Sequence, residues 1–244
     1  MLRRIFKTTL LAGFALVGLE AAYAVLRPAP RLPEFDASGV FGHEEDEPLT
    51  MVVIGDSSVT APGVSDIDRI WVRDVARRIA EHRNVHLHSL AIGGATTGSV
   101  IRDQLDDAVA LGPRLALVSV GANDAIRSLP LGRFDRELEE ITTRLQEAGA
   151  LVLLSGVADL GTIPRLRPPL RGIITRRSLA YDNVHRRLAE RTGAIWLNPR
   201  QDDRELWLRD RSLWSEDLFH VSAYGHSRWA DATWRVVAPV LADL

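Results

Sequence analysis

The sequence of 244 residues contains no cysteine, and Lys7 is its single lysine. Without cysteine the chain has no disulfide, no thiolate-ligated zinc and no catalytic thiol, and it cannot be anchored through a lipid-modified cysteine. The net charge is −2 at pH 7, whereas a general nucleic-acid-binding protein normally has a clear basic excess. These absences exclude cysteine chemistry and argue against nucleic acid as a partner.

The rest of the composition is that of an ordinary globular protein, with 46% hydrophobic and 25% charged residues. At this length the chain is expected to form one domain with one sizeable core. The sequence contains neither the lysine-containing loop of P-loop proteins nor Gly-x-Ser-x-Gly, the serine motif of the α/β-hydrolases. A nucleotide site is therefore not favoured, and any serine chemistry must use a different scaffold.

The first 26 residues differ in composition from the remainder. Three basic residues precede an apolar run over residues 8–19, and Ala22-Tyr23-Ala24 follows as a small-x-small sequence. This layout predicts a secretory signal peptide or, if it is not cleaved, a membrane anchor over residues 8–26. A cytoplasmic amphipathic start is the third alternative. Either of the first two predicts an exported protein, extracellular or in the cell envelope, with possible membrane association through this segment.

Residues 27–48 are predicted to form a tether between that segment and the domain. Pro28, Pro30 and Pro33 would stiffen it, and the acidic run at 44–47 would keep it solvated. The folded domain is then expected to span residues 49–244.

From Leu49 onward, short apolar runs alternate with amphipathic ones, which predicts a parallel sheet with crossover helices. The five predicted strands are Met51–Ile54, Val85–Leu90, Leu115–Val120, Leu151–Leu154 and Ala194–Leu197. Apolar residues at helical spacing predict helices whose stripes begin at Val72, Leu138, Tyr181 and Ala230. The expected fold class is α/β, with a doubly wound five-stranded parallel sheet.

Small or polar residues follow three of these strands, where a doubly wound sheet binds its ligands. Ser57 follows the first strand, the Gly93-Gly94 pair follows the second, and Asn123 follows the third. A glycine lets a backbone N–H approach a substrate, and an asparagine amide can donate to an oxyanion. Ordinary turns and helix caps are the alternative at each position.

The Asp-Leu-Phe-His sequence at 217–220 supplies an acid and an imidazole at a spacing that lets one turn present both on the same side. A serine hydroxyl becomes a nucleophile when an imidazole takes its proton and a carboxylate orients that imidazole. The pattern predicts Ser57 as nucleophile, His220 as base and Asp217 as the orienting acid. The alternative is a cap of the helix beginning near Ser222. His226, a second candidate, falls inside that helix and is expected to pack or face solvent.

Together these blocks resemble the SGNH hydrolases, also called the GDSL esterase/lipase family. The matching residues of its four blocks are Ser57 in Gly-Asp-Ser, Gly94 in Gly-Gly-Ala-Thr-Thr, Asn123 in Gly-Ala-Asn-Asp and His220. The resemblance implies a three-layer α/β/α flavodoxin-like fold and a triad of Ser57, His220 and Asp217. It also implies an oxyanion hole formed by the N–H groups of Ser57 and Gly94 and the side chain of Asn123.

The sequence departs from the family pattern at two positions. Ser58 stands where the family name has leucine, and Ser89 stands where an asparagine often precedes the second block. Both departures concern the subfamily more than the chemistry. Whether Gly93 or Gly94 donates to the oxyanion is also open, and Gly94 is chosen because it directly precedes Ala-Thr-Thr.

The function expected from the resemblance is hydrolysis of a carboxylic ester through an acyl-enzyme, without cofactor or metal. The substrate would be a small-molecule, lipid or glycan ester. The alternatives are an O-acyl esterase or acyltransferase acting on cell-envelope carbohydrate, and a binding domain without turnover. A metal site at His86 and His88 is disfavoured because no third ligand is evident.

Two further segments bear on substrate choice. The arginine-rich stretch 163–177 predicts either a surface for anionic groups or a solvated face. Trp207 and Trp214 would either line an acyl pocket or anchor the loop that precedes Asp217.

Overall fold

Runs of valine, leucine and isoleucine form the strands of a single six-stranded sheet. In the computed structural model, which describes residues 17–23, 26–30, 32–198, 200 and 204–243, these strands have the following bounds. They are β1 Gly39–Phe41, β2 Pro48–Gly55, β3 Asn84–Ser89, β4 Leu115–Ser119, β5 Leu151–Ser155 and β6 Ile195–Leu197.

The strand order is β1-β3-β2-β4-β5-β6. Only β1 is antiparallel to its neighbour, and the pairs from β3 to β6 are parallel. The five predicted strands are therefore confirmed, and their order is that of flavodoxin-like sheets. The order reverses at β2, so a crevice opens at the carboxyl ends of β2 and β4.

Helices cover both faces of the sheet. Their bounds are α1 Ser57–Thr60, α2 Trp71–Ile79, α3 Thr97–Asp103, α4 Leu105–Ala110, α5 Ala122–Arg127, α6 Leu131–Glu147, α7 Leu170–Thr192, α8 Arg204–Arg209 and α9 Ala223–Val237. The four predicted helical stripes lie in α2, α6, α7 and α9. Short 3₁₀ turns occur at Ile67–Arg69, Leu160–Thr162, Arg211–Leu213 and Ala238–Asp243.

The core has two halves because alternate side chains of a strand point to opposite faces. Val52 and Ile54 of β2 pack with α3, α4, α6 and α7. Met51 and Val53, on the other face, pack with α2 and α9. The predicted three-layer α/β/α arrangement is confirmed by this division.

The predicted tether, residues 27–48, requires correction because part of it belongs to the sheet. Residues 39–41 form β1, which pairs with β3 and brings the strand number to six rather than five. Ala37 is fully buried, and the Arg73 guanidinium donates to the carbonyl oxygens of Ala37 (3.2 Å) and Ser38 (2.6 Å). An edge strand of three residues is held by backbone pairing and needs no apolar pattern, so its sequence gave no strand signal.

The described part of the N-terminal segment contacts the arginine-rich stretch. Residues 17–23 are helical, and the Arg167 guanidinium lies 4.7 Å from the ring centroid of Tyr23. The backbone N–H of Leu170 donates to a carboxylate oxygen of Glu20 (3.2 Å). Residues 1–16, 24 and 25, which include most of the predicted signal peptide or anchor, lie outside the described residues. Within the described part of the chain, no helix has the length and hydropathy needed to cross a membrane.

Candidate active site

Backbone crowding fixes the turn that presents Ser57. Gly55, the last residue of β2, has a φ of +154°, and a Cβ there would lie 2.0 Å from the carbonyl oxygen of Ser119. The next N–H, of Asp56, donates to that same oxygen (3.1 Å). The Asp56 carboxylate then caps α1 by accepting from the N–H of Ser58 (2.9 Å). Ser57 is thus the first residue of α1, at the carboxyl end of β2.

Gln104 holds the same strand end from the opposite side. Its side chain is 1% exposed, donates to the carbonyl oxygen of Gly55 (3.0 Å) and accepts from the N–H of Gly55 (2.8 Å). Gln104 therefore positions the turn before Ser57 without lining the cavity described below. The sequence offered no signal for this role, since the two residues are 49 positions apart.

Asp217 and His220 meet within one tight turn. Oδ2 of Asp217 lies 2.6 Å from Nδ1 of His220. Oδ1 accepts from the N–H groups of Phe219 (2.8 Å) and His220 (2.9 Å) and from the hydroxyl of Ser215 (2.6 Å). The turn closes through Leu218, whose φ is +57°. The prediction that one turn presents both side chains on the same side is confirmed.

The electrostatics of this turn determine which ring nitrogen of His220 carries the hydrogen. Burial by itself raises the pKa of Asp217, but hydrogen bonds from His220, Ser215 and Phe219 outweigh it and hold that pKa well below its usual range. Asp217, 7% exposed, is thus ionised at neutral pH. An ionised carboxylate only accepts, so Nδ1 of His220 donates and Nε2 is free to accept a proton.

Ser57, Asn123 and His220 line one cavity of about 220 Å³. Its walls include four indoles, those of Trp71, Trp207, Trp214 and Trp229. Within the described structure, no direct hydrogen bond joins Ser57 to His220. Such contacts are often long before substrate binds.

Asn123 joins the three strand ends. Its Nδ2 donates to Oδ2 of Asp56 after β2 (3.2 Å) and to the carbonyl oxygen of Ala95 after β3 (3.1 Å). Asn123 itself follows β4 through Gly121, which has a φ of +119°. Burial raises the pKa of Asp56 to about 6, although hydrogen bonds from Ser58 oppose that rise. Above that pH the carboxylate is mainly ionised and accepts from Asn123.

Gly94 lies beside this site without lining the cavity. It has a φ of +77°, and its carbonyl oxygen accepts from the guanidinium of Arg127 (3.0 Å). A Cβ on Gly93 would lie 2.1 Å from Oε1 of Glu34, so Gly93 is the more crowded of the two. Both line a second depression with Arg127. The role of the Gly94 N–H as an oxyanion donor therefore stays a prediction.

The serine and histidine side chains outside the predicted triad have varied surroundings. The hydroxyl of Ser58 shares a hydrogen bond with that of Ser119 (2.7 Å). His226 lies inside α9, as expected, but it also lines the cavity. His86 and His88 lie on β3, and no group of three metal-ligating side chains occurs among the residues described.

The arginine-rich stretch contains a contact to the active-site turn that sequence reasoning missed. Nε of Arg165 donates to the backbone carbonyl oxygen of Asp217 (2.5 Å). Arg171 and Arg177 likewise donate to carbonyl oxygens of the fold. Part of this stretch therefore holds backbone in place, which neither of the two sequence interpretations anticipated.

Trp207 and Trp214 line the cavity and anchor the loop that precedes Asp217, and the acyl-pocket role stays a prediction. They line the cavity, and their rings pack edge to face with centroids 5.6 Å apart. The indole N–H of Trp214 donates to the carbonyl oxygen of Trp207 (3.0 Å). The two residues therefore anchor the segment before Asp217 while forming the cavity wall.

Comparison with known proteins gives one family and one curated relative. Residues 53–228 match the family described as GDSL-like Lipase/Acylhydrolase. A GDSL-like esterase of Mycobacterium tuberculosis is 26% identical over 201 residues, which cover 79% of this chain. The match covers 63% of that protein, so the chain spans less than two thirds of the length of this relative.

Solved structures share the fold over most of this chain. TesA has a TM-score of 0.65 and 23% identity, covering 78% of this chain and 99% of its own. The psychrotrophic esterase EstA from Pseudoalteromonas sp. has a TM-score of 0.62 and 21% identity, covering 79% and 98%. An acetylxylan esterase from Geobacillus stearothermophilus has a TM-score of 0.65 and 16% identity, covering 80% and 96%. These likenesses establish the architecture alone.

Proposed function

The chain belongs to the GDSL-like lipase/acylhydrolase family, and from this premise we propose that it hydrolyses carboxylic esters through an acyl-enzyme on Ser57. The observation on which the proposal rests is the 2.6 Å contact between Asp217 and His220, at the wall of the cavity that Ser57 also lines. A nucleophile and a base on one cavity, with an acid that orients the base, are the parts that acyl transfer to serine requires.

In the proposed reaction, Nε2 of His220 takes the proton of the Ser57 hydroxyl as Oγ bonds to the ester carbonyl carbon. The tetrahedral intermediate collapses when the bond to the alcohol oxygen breaks, and His220 gives its proton to that oxygen. Water then repeats the sequence against the acyl-enzyme, with His220 again as base, and the free acid leaves. Asp217 holds the imidazole in the required tautomer and stabilises the imidazolium.

The oxyanion formed in both steps would be held by the N–H groups of Ser57 and Gly94 and by Nδ2 of Asn123. Nδ2 of Asn123 already donates to Asp56 and to the carbonyl oxygen of Ala95. To bind the oxyanion, the amide must exchange one of these two hydrogen bonds. Asn123 and Ser57 line the same cavity, where this exchange would take place.

The test is hydrolysis of p-nitrophenyl esters of increasing acyl length by the full chain, together with labelling by a fluorophosphonate. We expect labelling at Ser57, and a kcat/KM that rises up to about fourfold per methylene buried in the cavity before falling once it is filled. A chain that neither reacts with the probe nor hydrolyses any ester would be a binding domain. Acyl products appearing on an added sugar at the expense of free acid would indicate transfer.

Asn123→Ala is expected to lower kcat by roughly 10²- to 10³-fold with little change in KM, because one oxyanion donor is lost. The measurement is steady-state kinetics on the best p-nitrophenyl ester. Asn198→Ala is the matched control, since Asn198 is another asparagine on the same cavity. Similar kcat losses in both variants would contradict the assignment, and melting temperatures would identify any general loss of fold.

A further inference from the structure

A second histidine, His226, lies in the cavity wall outside the proposed triad. It is 2% exposed, and its ring centroid is 5.3 Å from that of Trp229. The backbone N–H of Trp71 donates to its Nδ1 (3.3 Å). His226 is therefore a polar side chain held in place among the aromatic residues of the cavity.

The proton position on His226 follows from its surroundings. Burial, with a smaller contribution from the neighbouring His220, lowers the pKa of His226 to about 3. The imidazole is thus neutral at physiological pH, and this pKa is too low for a general base. Because Nδ1 accepts from Trp71, the single ring hydrogen is on Nε2.

Nε2 of His226 donates to no residue in the described part of the chain. An N–H left unpaired in an apolar wall costs free energy, unless water or a bound molecule accepts from it. Thr233 lies seven residues later on α9, which is the same helix face. It is 5% exposed and lines the same cavity. The inner face of α9 therefore places polar groups beside the indoles of the cavity wall.

We propose that Nε2–H of His226 donates a hydrogen bond to an oxygen of the bound ester, so that the protein prefers esters with an ether, hydroxyl or carbonyl oxygen in the part that enters the cavity. This inference rests on the proposed function and names the class of ester that the protein would hydrolyse. A plain alkyl group there would leave the donor unpaired and would be the poorer substrate.

The test uses pairs of p-nitrophenyl esters in which one methylene is replaced by oxygen: butyrate and methoxyacetate, pentanoate and 3-methoxypropanoate, hexanoate and 4-methoxybutanoate. Butyl acetate and 2-methoxyethyl acetate test the alcohol side. Each rate is divided by the rate of alkaline hydrolysis of the same ester, which removes intrinsic reactivity. For at least one pair we expect kcat/KM to favour the oxygen-containing ester about tenfold, as one additional hydrogen bond allows.

Two variants separate this role from a structural one. His226→Asn keeps an acceptor for the Trp71 N–H but does not reach the Nε2 position, so the preference is expected to disappear. His226→Gln places an amide N–H near the Nε2 position, so the preference is expected to persist even if the protein becomes less stable. A purely structural role predicts the same preference in both variants.

The wild-type protein alone can overturn the inference. If it hydrolyses the plain esters but prefers no oxygen-containing ester, the inference fails and the proposed function stands. An equal preference in wild type and His226→Asn would also overturn it. If no ester is hydrolysed and the fluorophosphonate does not label Ser57, the proposed function fails and the inference with it.

Discussion

Ser57→Ala is expected to lower kcat for a short p-nitrophenyl ester by on the order of 10⁶-fold, the loss that serine proteases show without their nucleophile. The reason is that the acyl-enzyme bond forms on the Ser57 hydroxyl. Without that hydroxyl the acyl-enzyme cannot form, and only the oxyanion donors and the remaining Asp217–His220 pair can assist direct attack by water. Residual activity from these groups is expected to be small but measurable, and independent of fluorophosphonate treatment.

Ser58→Ala is the matched control for this experiment. Ser58 also lines the cavity, but its hydroxyl is engaged with that of Ser119 (2.7 Å). Its removal is expected to change kcat by no more than a few-fold, with a small stability cost from the hydrogen bonds lost to Ser119 and Asp56. An unchanged rate in purified Ser57→Ala, or a large loss in Ser58→Ala alone, would refute Ser57 as the nucleophile.

Asp217→Asn is expected to lower kcat by about 10⁴-fold, which is large but less than the loss from Ser57→Ala. The Asp217 side chain faces only donors, namely two backbone N–H groups, the Ser215 hydroxyl and Nδ1 of His220. An asparagine keeping its oxygen toward the backbone would turn its NH₂ toward His220. The imidazole would then hold its hydrogen on Nε2, where the mechanism needs an acceptor.

Asp210→Asn provides the comparison for Asp217→Asn. The Asp210 carboxylate accepts from the N–H (2.9 Å) and hydroxyl (2.6 Å) of Ser212 in a similar local turn, but it is paired with no histidine. We expect near wild-type kcat from this variant. Because hydrogen bonds keep the pKa of Asp217 well below its usual range, wild-type activity should show no loss from Asp217 protonation between about pH 5 and 8. Equal kcat in the two aspartate variants would contradict the triad.

The features that the sequence predicted correctly are those with a local pattern. Buried parallel strands appear as apolar runs, and the Asp-x-x-His spacing describes a single turn. The proximity of Ser57 and Asn123 could also be predicted, because the carboxyl ends of parallel strands meet at one edge of the sheet. The roles of Gln104 and Arg165 could not be predicted in this way. Each acts through a side chain on backbone atoms about fifty residues away, and no spacing rule encodes such a contact.

The conformation of the loop that contains Gly93 and Gly94 also could not be predicted from the sequence. Two adjacent glycines allow many backbone conformations, and their surroundings are set by residues distant in sequence, Glu34 and Arg127. Likewise, the position of His226 inside α9 was predictable, but its access to the cavity was not. That access depends on how α9 packs against the start of α2 at Trp71.

Strand β1 also affects the tendency of the folded protein to aggregate. An uncovered β3 would present a row of free N–H and C=O groups, which is the template on which other chains add strands and aggregate. The three residues of β1 occupy this edge, and a strand so short offers little further template. The colloidal stability of the domain therefore depends on a stretch of chain that precedes every proposed catalytic group.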